Sequence, residues 1–353
     1  MAAKEEANRL EVSLNKQTSL FCIIIGFGKM GRLVSSQLTK LNIDWISVDT
    51  KTGSSASYAN IKATPSHVID KVTHVFICVP TQAHRAVLEE VLSIFPNSQI
   101  MLEKPVCSPK DFHWFQQNMH KNVFRRIWIN NHYVECSNIH RLRKILHSRN
   151  KKKCIEIGFY KNRASDNIAG RFVDNDYLVW GYEGFHMLTI AAMLLPTEEA
   201  SKYLDTRGHS SYRHEALSDI SWAFEEFALE SGDKILLKTS TNGRDMTDMN
   251  MPKLYSGLQR ARKVFVSISD EQETYELEFG HDPFEHTQPG PCYSISGSTI
   301  NTVMSEENPL LIHIEKFLKS SLDEYSSLEF GIQVTKRLMR MAECTYRFGE
   351  NKN

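Results

Sequence analysis

"CIIIGFGKMGRL", residues 22–33, places Gly26, Gly28 and Gly31 in the pattern G-x-G-x-x-G, between an apolar run and a helical one. Three glycines at that spacing arise by chance in many chains, so the flanks decide the reading. "FCIIIGF" ahead of the motif is a continuous apolar run, as expected of a parallel strand buried on both faces. "GRLVSSQLTKL" behind it sets Leu33, Val34, Leu38 and Leu41 at helical spacing. In a strand–turn–helix of this kind the first glycine permits the tight turn and the second lets backbone approach a pyrophosphate. The third lets helix and strand pack closely. The helix start adds free amides and the positive end of its dipole. Gly26, Phe27, Gly28, Lys29, Met30 and Gly31 are therefore expected to cradle a dinucleotide.

Working outward, strand and helix alternate. "DWISVDT" and "VTHVFICVP" read as strands, "QAHRAVLEEVLSIF" as a helix with Val87, Leu88, Val91 and Leu92 on one face, and "QIMLEKP" as a further strand. This rhythm predicts a doubly wound parallel sheet of the Rossmann kind. After about Trp128 it changes. "SNIHRLRKILHS" is helical and "KCIEIGFYKN" a strand, while "SDISWAFEEFALESGDKILLKTS" and "KVFVSISDEQETYELEFG" read as hairpins. "HIEKFLKSSLDEY" and "GIQVTKRLMRMAECTYRF" read as closing helices. The expected class is α/β, with a flexible tail over 1–18, a dinucleotide-binding Rossmann domain over 19–128, and a second domain over 129–353 whose hairpins indicate an antiparallel sheet covered by helices on one side.

The 353 residues carry 42 basic and 42 acidic side chains, so no overall field draws the chain to nucleic acid or a membrane. The run "RNKKK", Arg149 to Lys153, reads as a solvated loop. The seven cysteines stand singly, without a C-x-x-C pair; this argues against zinc and disulfides and for a reducing, cytoplasmic setting. His67, His209 and His313 have no metal-like spacing, so no metal site is expected. The first eighteen residues lack an apolar core and read as a loose tail rather than a signal peptide. No apolar stretch approaches the roughly 20 residues that span a bilayer.

Asp49 ends the second strand, 18 residues past Gly31, where a carboxylate holds the adenosine ribose and repels a 2′-phosphate. NAD is therefore expected over NADP, with Lys51 close behind keeping NADP open. "FICVPTQAH" and "LEKPV" stand at strand ends, just inside the edge where open α/β sheets bind ligands.

The glycine loop, strand-end acid, "VPTQAH" and "EKP", in this order, resemble the Gfo/Idh/MocA oxidoreductase family. "GYEGFHMLTIAAML", residues 181–194, is similar to its segment in which a histidine begins a helix under the nicotinamide, and the closing helices resemble its last pair. The resemblance implies Lys104 as the proton-transfer residue and Glu103 as the holder of the nicotinamide ribose. It implies Pro80, Thr81 and His84 along the cofactor, and His186 toward the substrate oxygen. Many relatives have aspartate four residues before that histidine; here Tyr182 stands there, with Glu183 next, and Tyr182 is expected to donate a hydrogen bond in its stead. Asn131 and His132 of "INNHY" are expected substrate contacts.

The residue types suit the chemistry. Taking a hydride from an alcohol carbon requires a base for the hydroxyl proton, and a lysine beside a cationic nicotinamide has a depressed pKa. The resemblance implies hydride transfer to or from a sugar, cyclitol or nucleotide-linked sugar. Imine reduction and a non-catalytic dinucleotide sensor are the alternatives. The resemblance further implies that 129–353 is a substrate-binding and oligomerisation domain with an open, mostly antiparallel sheet, and a homodimer or homotetramer joined through the outer face of that sheet, for which "ISWAFEEFAL" and "VFVSI" could supply the apolar surface.

Overall fold

A computed structural model describes residues 20–51, 53–149, 151–161, 163, 176–206, 211–217, 220–241, 244–245, 253–254, 260–269, 273–279, 293–305 and 307–350. The expected tail, His209 and Cys292 lie outside the described residues.

The first sheet has the order β2-β1-β3-β4-β5, every pair parallel. Its strands are β1 (Phe21–Ile25), β2 (Asp44–Val48), β3 (His74–Ile77), β4 (Gln99–Leu102) and β5 (Ile127–Ile129). Alternation of side chains explains why the strands are apolar throughout. Cys22, Ile24, Phe76 and Met101 face one side, and Ile23, Ile25, Val75 and Ile77 face the other. Helix α1 (Lys29–Lys40) covers the first side with Leu33, Val34 and Leu38. Helix α2 (His84–Ile94) covers the second with Leu88 and Val91. Because β1 lies between β2 and β3, the chain reverses direction across the sheet there, and the strand ends flanking that point open the crevice where ligands of such sheets bind. Strand β5 runs one residue past the expected boundary at 128.

Helices α3 (Phe112–Asn118) and α4 (Ser137–His147) lead to the second sheet. It contains β6 (Lys153–Lys161), β7 (Ser211–Leu217), β8 (Ile220–Ala228) and β9 (Lys234–Ser240). A two-stranded ribbon, β10 (Arg244–Asp245) with β11 (Lys253–Leu254), precedes β12 (Arg260–Ile268), β13 (Glu273–Phe279), β14 (Tyr293–Gly297) and β15 (Ile300–Ser305). The order is β15-β14-β13-β12-β6-β9-β8-β7; neighbours are antiparallel except β6 and β9, which run parallel. An open, mostly antiparallel sheet is what the pattern predicts. Helix α5 (Trp180–Leu194) lies against its inner face and is buried at every residue except Tyr182, consistent with its apolar residues on all sides.

The outer face of this sheet is mixed. Ion pairs lie on it, Lys238–Glu156 at 2.8 Å, Lys263–Glu276 at 3.0 Å and Lys263–Glu278 at 2.6 Å. Beside them Phe224 of "ISWAFEEFAL" packs on Tyr160 and Ala261, and Phe265 of "VFVSI" is exposed, while Ala223, Phe227, Val264 and Val266 turn inward. One expectation is corrected: the closing helices do not both serve the second sheet. Helix α6 (Thr197–Asp205) and α8 (Leu328–Glu350) pack around α5, but α7 (Pro309–Leu318) crosses back to the first sheet. Its Phe317 sits edge-on to His74 at 5.1 Å and to Phe76 at 5.2 Å.

Buried Arg337 of α8 pairs with buried Glu225 of β8 and donates to the Thr206 carbonyl at 3.0 Å, while the Tyr203 hydroxyl donates to the same carboxylate at 3.0 Å. Removing one member strands the other's charge. Arg337→Leu is expected to cost about 3–5 kcal/mol in urea unfolding, and Arg337→Leu with Glu225→Gln to recover most of that loss.

Candidate active site

The glycine loop closes the carboxyl end of β1. Gly26 has φ +92°, and a Cβ there would meet the Cys78 carbonyl group at 2.7 Å. A Cβ on Gly31 would lie 2.1 Å from the Gly26 carbonyl oxygen, so helix and strand tolerate no side chain at that place. Gly28, the N-cap of α1, faces open space, and the first turn of that helix holds no acidic residue. Asp49 reaches the loop: one carboxylate oxygen accepts from the Phe27 amide at 2.7 Å and the other from the Lys51 amide at 2.8 Å. The Phe27 side chain is buried with its ring 5.9 Å from that of Trp45, so only its backbone belongs to the cradle. Lys29 is exposed at the helix start and Met30 half-buried behind it.

Past β3, Pro80 is exposed and Thr81 buried at the start of a short helical turn. His84 is corrected. It is fully buried, its Nδ1 3.0 Å from the Val106 carbonyl and its Nε2 3.1 Å from the Val79 carbonyl. Burial pushes its pKa down, and a neutral ring donates to one of these acceptors at a time. His84 thus ties the loop after β3 to the loop after β4 rather than facing the cofactor space.

Beyond β4, Glu103 accepts from Asn130 Nδ2 at 2.5 Å. Burial raises its carboxyl to about 7, outweighing Asn130 and the Lys104 charge. Lys104 is half-buried, and its Nζ donates to the Tyr182 carbonyl at 3.0 Å. Burial lowers the pKa of this amine; Glu183 and Glu103 oppose the shift, while Arg163 and Arg262 add to it.

The first turns of α5 bring the remaining groups together. Buried Glu183 takes both Nη2 contacts of Arg262, at 2.6 and 2.8 Å, and Arg163 Nη2 at 3.0 Å. Burial alone would raise this carboxyl, but Arg262, Arg163 and Lys104 hold it near 2. The Arg163 guanidinium lies over the Tyr182 ring at 4.4 Å. Tyr182 therefore meets Lys104 through its carbonyl and Arg163 through its ring face. His186 is buried, its ring 5.2 Å from that of half-buried His132 and 4.7 Å from Tyr133. Tyr133 Oη in turn lies 2.5 Å from Arg262 Nη1.

Asn131 is the other correction. It has no exposed surface and donates to Thr189 at 3.1 Å and to the Tyr325 carbonyl at 3.0 Å, while its amide lies 3.3 Å from His313 Nε2. It fastens α5, α7 and the turn after α7 that holds Tyr325, and presents no surface to a ligand. The sequence reading missed Arg163, Arg262 and Tyr133. Their signal is an alternating row: Ile155, Ile157 and Phe159 give way to Lys161 on β6, and Val266 and Val264 give way to Arg262 on β12. Among the described residues no cluster of histidine, cysteine or carboxylate groups is arranged to hold a metal.

Glu103 binds a proton more tightly in the folded chain than in the unfolded one, whose value is 4.5. Its contribution to stability is thus complete below 4.5 and lost as pH rises through about 7. In dinucleotide-free protein, Glu103→Gln is expected to flatten the fall in melting temperature over that range; an unchanged slope would assign it to another group.

No family model matches the chain, and no curated protein matches it. Solved structures do. A UDP-N-acetylglucosamine 3-dehydrogenase, GnnA, from Acidithiobacillus ferrooxidans aligns with TM-score 0.61 at 14% identity, over 93% of this chain and 98% of that one. The WlbA dehydrogenase from Thermus thermophilus, in complex with NAD and UDP-GlcNAcA, aligns with TM-score 0.54 at 12% identity, over 92% and 93% of the two chains. A dehydrogenase from Chromobacterium violaceum gives 0.63 at 12% identity, over 95% and 97%. At these identities the likeness is one of fold: this chain has, over nearly its whole length, the two-sheet architecture of those dehydrogenases.

Proposed function

We propose that the protein is an NAD(P)-dependent oxidoreductase that moves a hydride between nicotinamide and a hydroxyl or carbonyl carbon of a sugar derivative. One observation carries this reading. Lys104, at the carboxyl end of β4, is half-buried with its ammonium on the Tyr182 carbonyl, next to the helix start that bears His186. That is the placement and protonation behaviour a hydride-transfer site needs in its base. The dehydrogenases that share the fold support it, GnnA and WlbA acting on or binding UDP-linked sugars.

The residues present fit a dinucleotide. The open space at Gly28 and the acid-free start of α1 would take the pyrophosphate, Asp49 the adenosine ribose, and Glu103 the nicotinamide ribose. The bound nicotinamide supplies the hydride acceptor or donor. In the oxidative direction, neutral Lys104 takes the substrate hydroxyl proton as the carbon loses its hydride; in reduction, the ammonium gives a proton to the carbonyl oxygen as the carbon gains hydride. The Tyr182 carbonyl accepts from Lys104 in both states and holds it in place. His186, packed against Tyr133 and His132, hydrogen-bonds the reacting oxygen. No described helix is long and apolar enough to cross a membrane.

Lys104→Ala should lower turnover by about a hundredfold or more, read as reduced-nicotinamide absorbance, while changing dinucleotide affinity only slightly. Wild-type turnover in this variant would refute the assignment. Asp49→Ala should narrow the preference for NAD over NADP, measured as the ratio of the two dissociation constants; an unchanged ratio would remove Asp49 from the ribose site.

A further inference from the structure

The inner face of the second sheet changes character along its length. On β6 the inward row runs Ile155, Ile157, Phe159, Lys161, and Arg163, two residues past the strand, donates its amide to the Thr241 carbonyl at 2.8 Å. On β12, antiparallel to it, Val266 and Val264 lie opposite Ile155 and Ile157, and Arg262 lies opposite Phe159. Both rows therefore switch from aliphatic to cationic at the same end of the sheet. Packing alone explains the aliphatic end. It does not explain burying a guanidinium, whose charge is costly to desolvate, where a further valine would fill the face.

The cationic end also meets the chemistry. Arg163 and Arg262 converge on the single carboxylate of Glu183, one residue from the carbonyl that receives Lys104. Tyr133 links Arg262 to His186. A ring whose reacting carbon sits between Lys104 and His186 brings another of its substituents to these two arginines. Guanidinium forks match planar carboxylates and phosphates, and Glu183 fixes their orientation before a ligand arrives.

We propose that Arg163 and Arg262, oriented by Glu183, form an anion subsite that selects a sugar derivative bearing a carboxylate or phosphate group on the same ring as the reacting carbon. The position of that carbon rests on the oxidoreductase reading; the anion preference rests on the arginines.

The test compares matched ligands: a hexose with its 6-carboxylate and its 6-phosphate, each free and as a nucleoside diphosphate conjugate. Wild type should show a KM at least about tenfold lower for the anionic member of a pair. The carboxylate and phosphate arms identify which anion is used. If the conjugates alone discriminate, and show no preference for an anion on the ring, the diphosphate is the recognised group and the proposal is overturned. Arg262→Met with Glu183→Gln, which removes one charge of each sign, should bring the ratio toward one; an undiminished ratio, or no preference in wild type, also overturns it. If the double variant does not fold, Arg163→Lys replaces it, since it keeps the charge but loses the fork; the ratio should then fall severalfold, and an unchanged ratio overturns the subsite. Should no member of the panel support hydride transfer, calorimetric binding to NAD-loaded protein gives the same ratio. A tenfold preference there sustains the anion subsite while the oxidoreductase reading fails, and equal binding overturns the subsite.

Discussion

Glu183 cannot be buried alone. A carboxylate taken out of water must be paired or neutralised, and its place on the first turn of an otherwise apolar helix leaves no solvent route to either remedy. Arg262 and Arg163 supply the pairing, and each comes from a different part of the second sheet. The consequence reaches past electrostatics. The carboxylate fixes the height of α5 over the sheet, and with it the Tyr182 carbonyl and the His186 ring. Lys104 arrives from the first sheet and is held by that carbonyl. One buried anion therefore sets the register between the two halves where the proposed reaction takes place.

The glycine-loop side is governed by crowding instead. Gly31 lies almost against the Gly26 carbonyl, and Gly26 against the Cys78 carbonyl, so the ends of β1 and β3 and the start of α1 are locked by backbone alone. His84 adds a second lock between the loops after β3 and β4. The crevice this creates is rigid at its floor. The variable contribution comes from side chains above it: Asp49, Glu103 and Lys104.

These two regimes explain what could be read from the chain. β1, the glycine loop and α1 are contiguous, and their periods of two and 3.6 residues are visible within a dozen positions. Lys104 and His186 were legible through motifs. Arg262 was not, because its meaning depends on β12 pairing with β6 across about a hundred residues of sequence in one register. A shift of a single residue would turn it to the outer face among the ion pairs. Asn131 was misread for the same reason: its partners, Thr189, Tyr325 and His313, lie far along the chain, and a buried amide cannot be told from an exposed one by its neighbours in "INNHY". The outer sheet face is equally a matter of parity: Ala223 and Phe227 of "ISWAFEEFAL" turn inward while Phe224 turns outward onto Tyr160 and Ala261, a split that the string shows only once the register is known.

Helix α7 changes what counts as a unit in this molecule. Leu310, Ile314, Phe317 and Leu318 complete the cover over Cys22, Ile24 and Phe76, more than two hundred residues earlier. The first-sheet half is therefore not an excisable module: a fragment stopping at residue 128 or 150 would keep the cover of α1 but expose the part of that apolar face that α7 closes. The ribosome has delivered nearly the whole chain before that face can close. Folding of the first sheet must then wait for the last elements made, and its partly covered form is the species a chaperone would meet during synthesis.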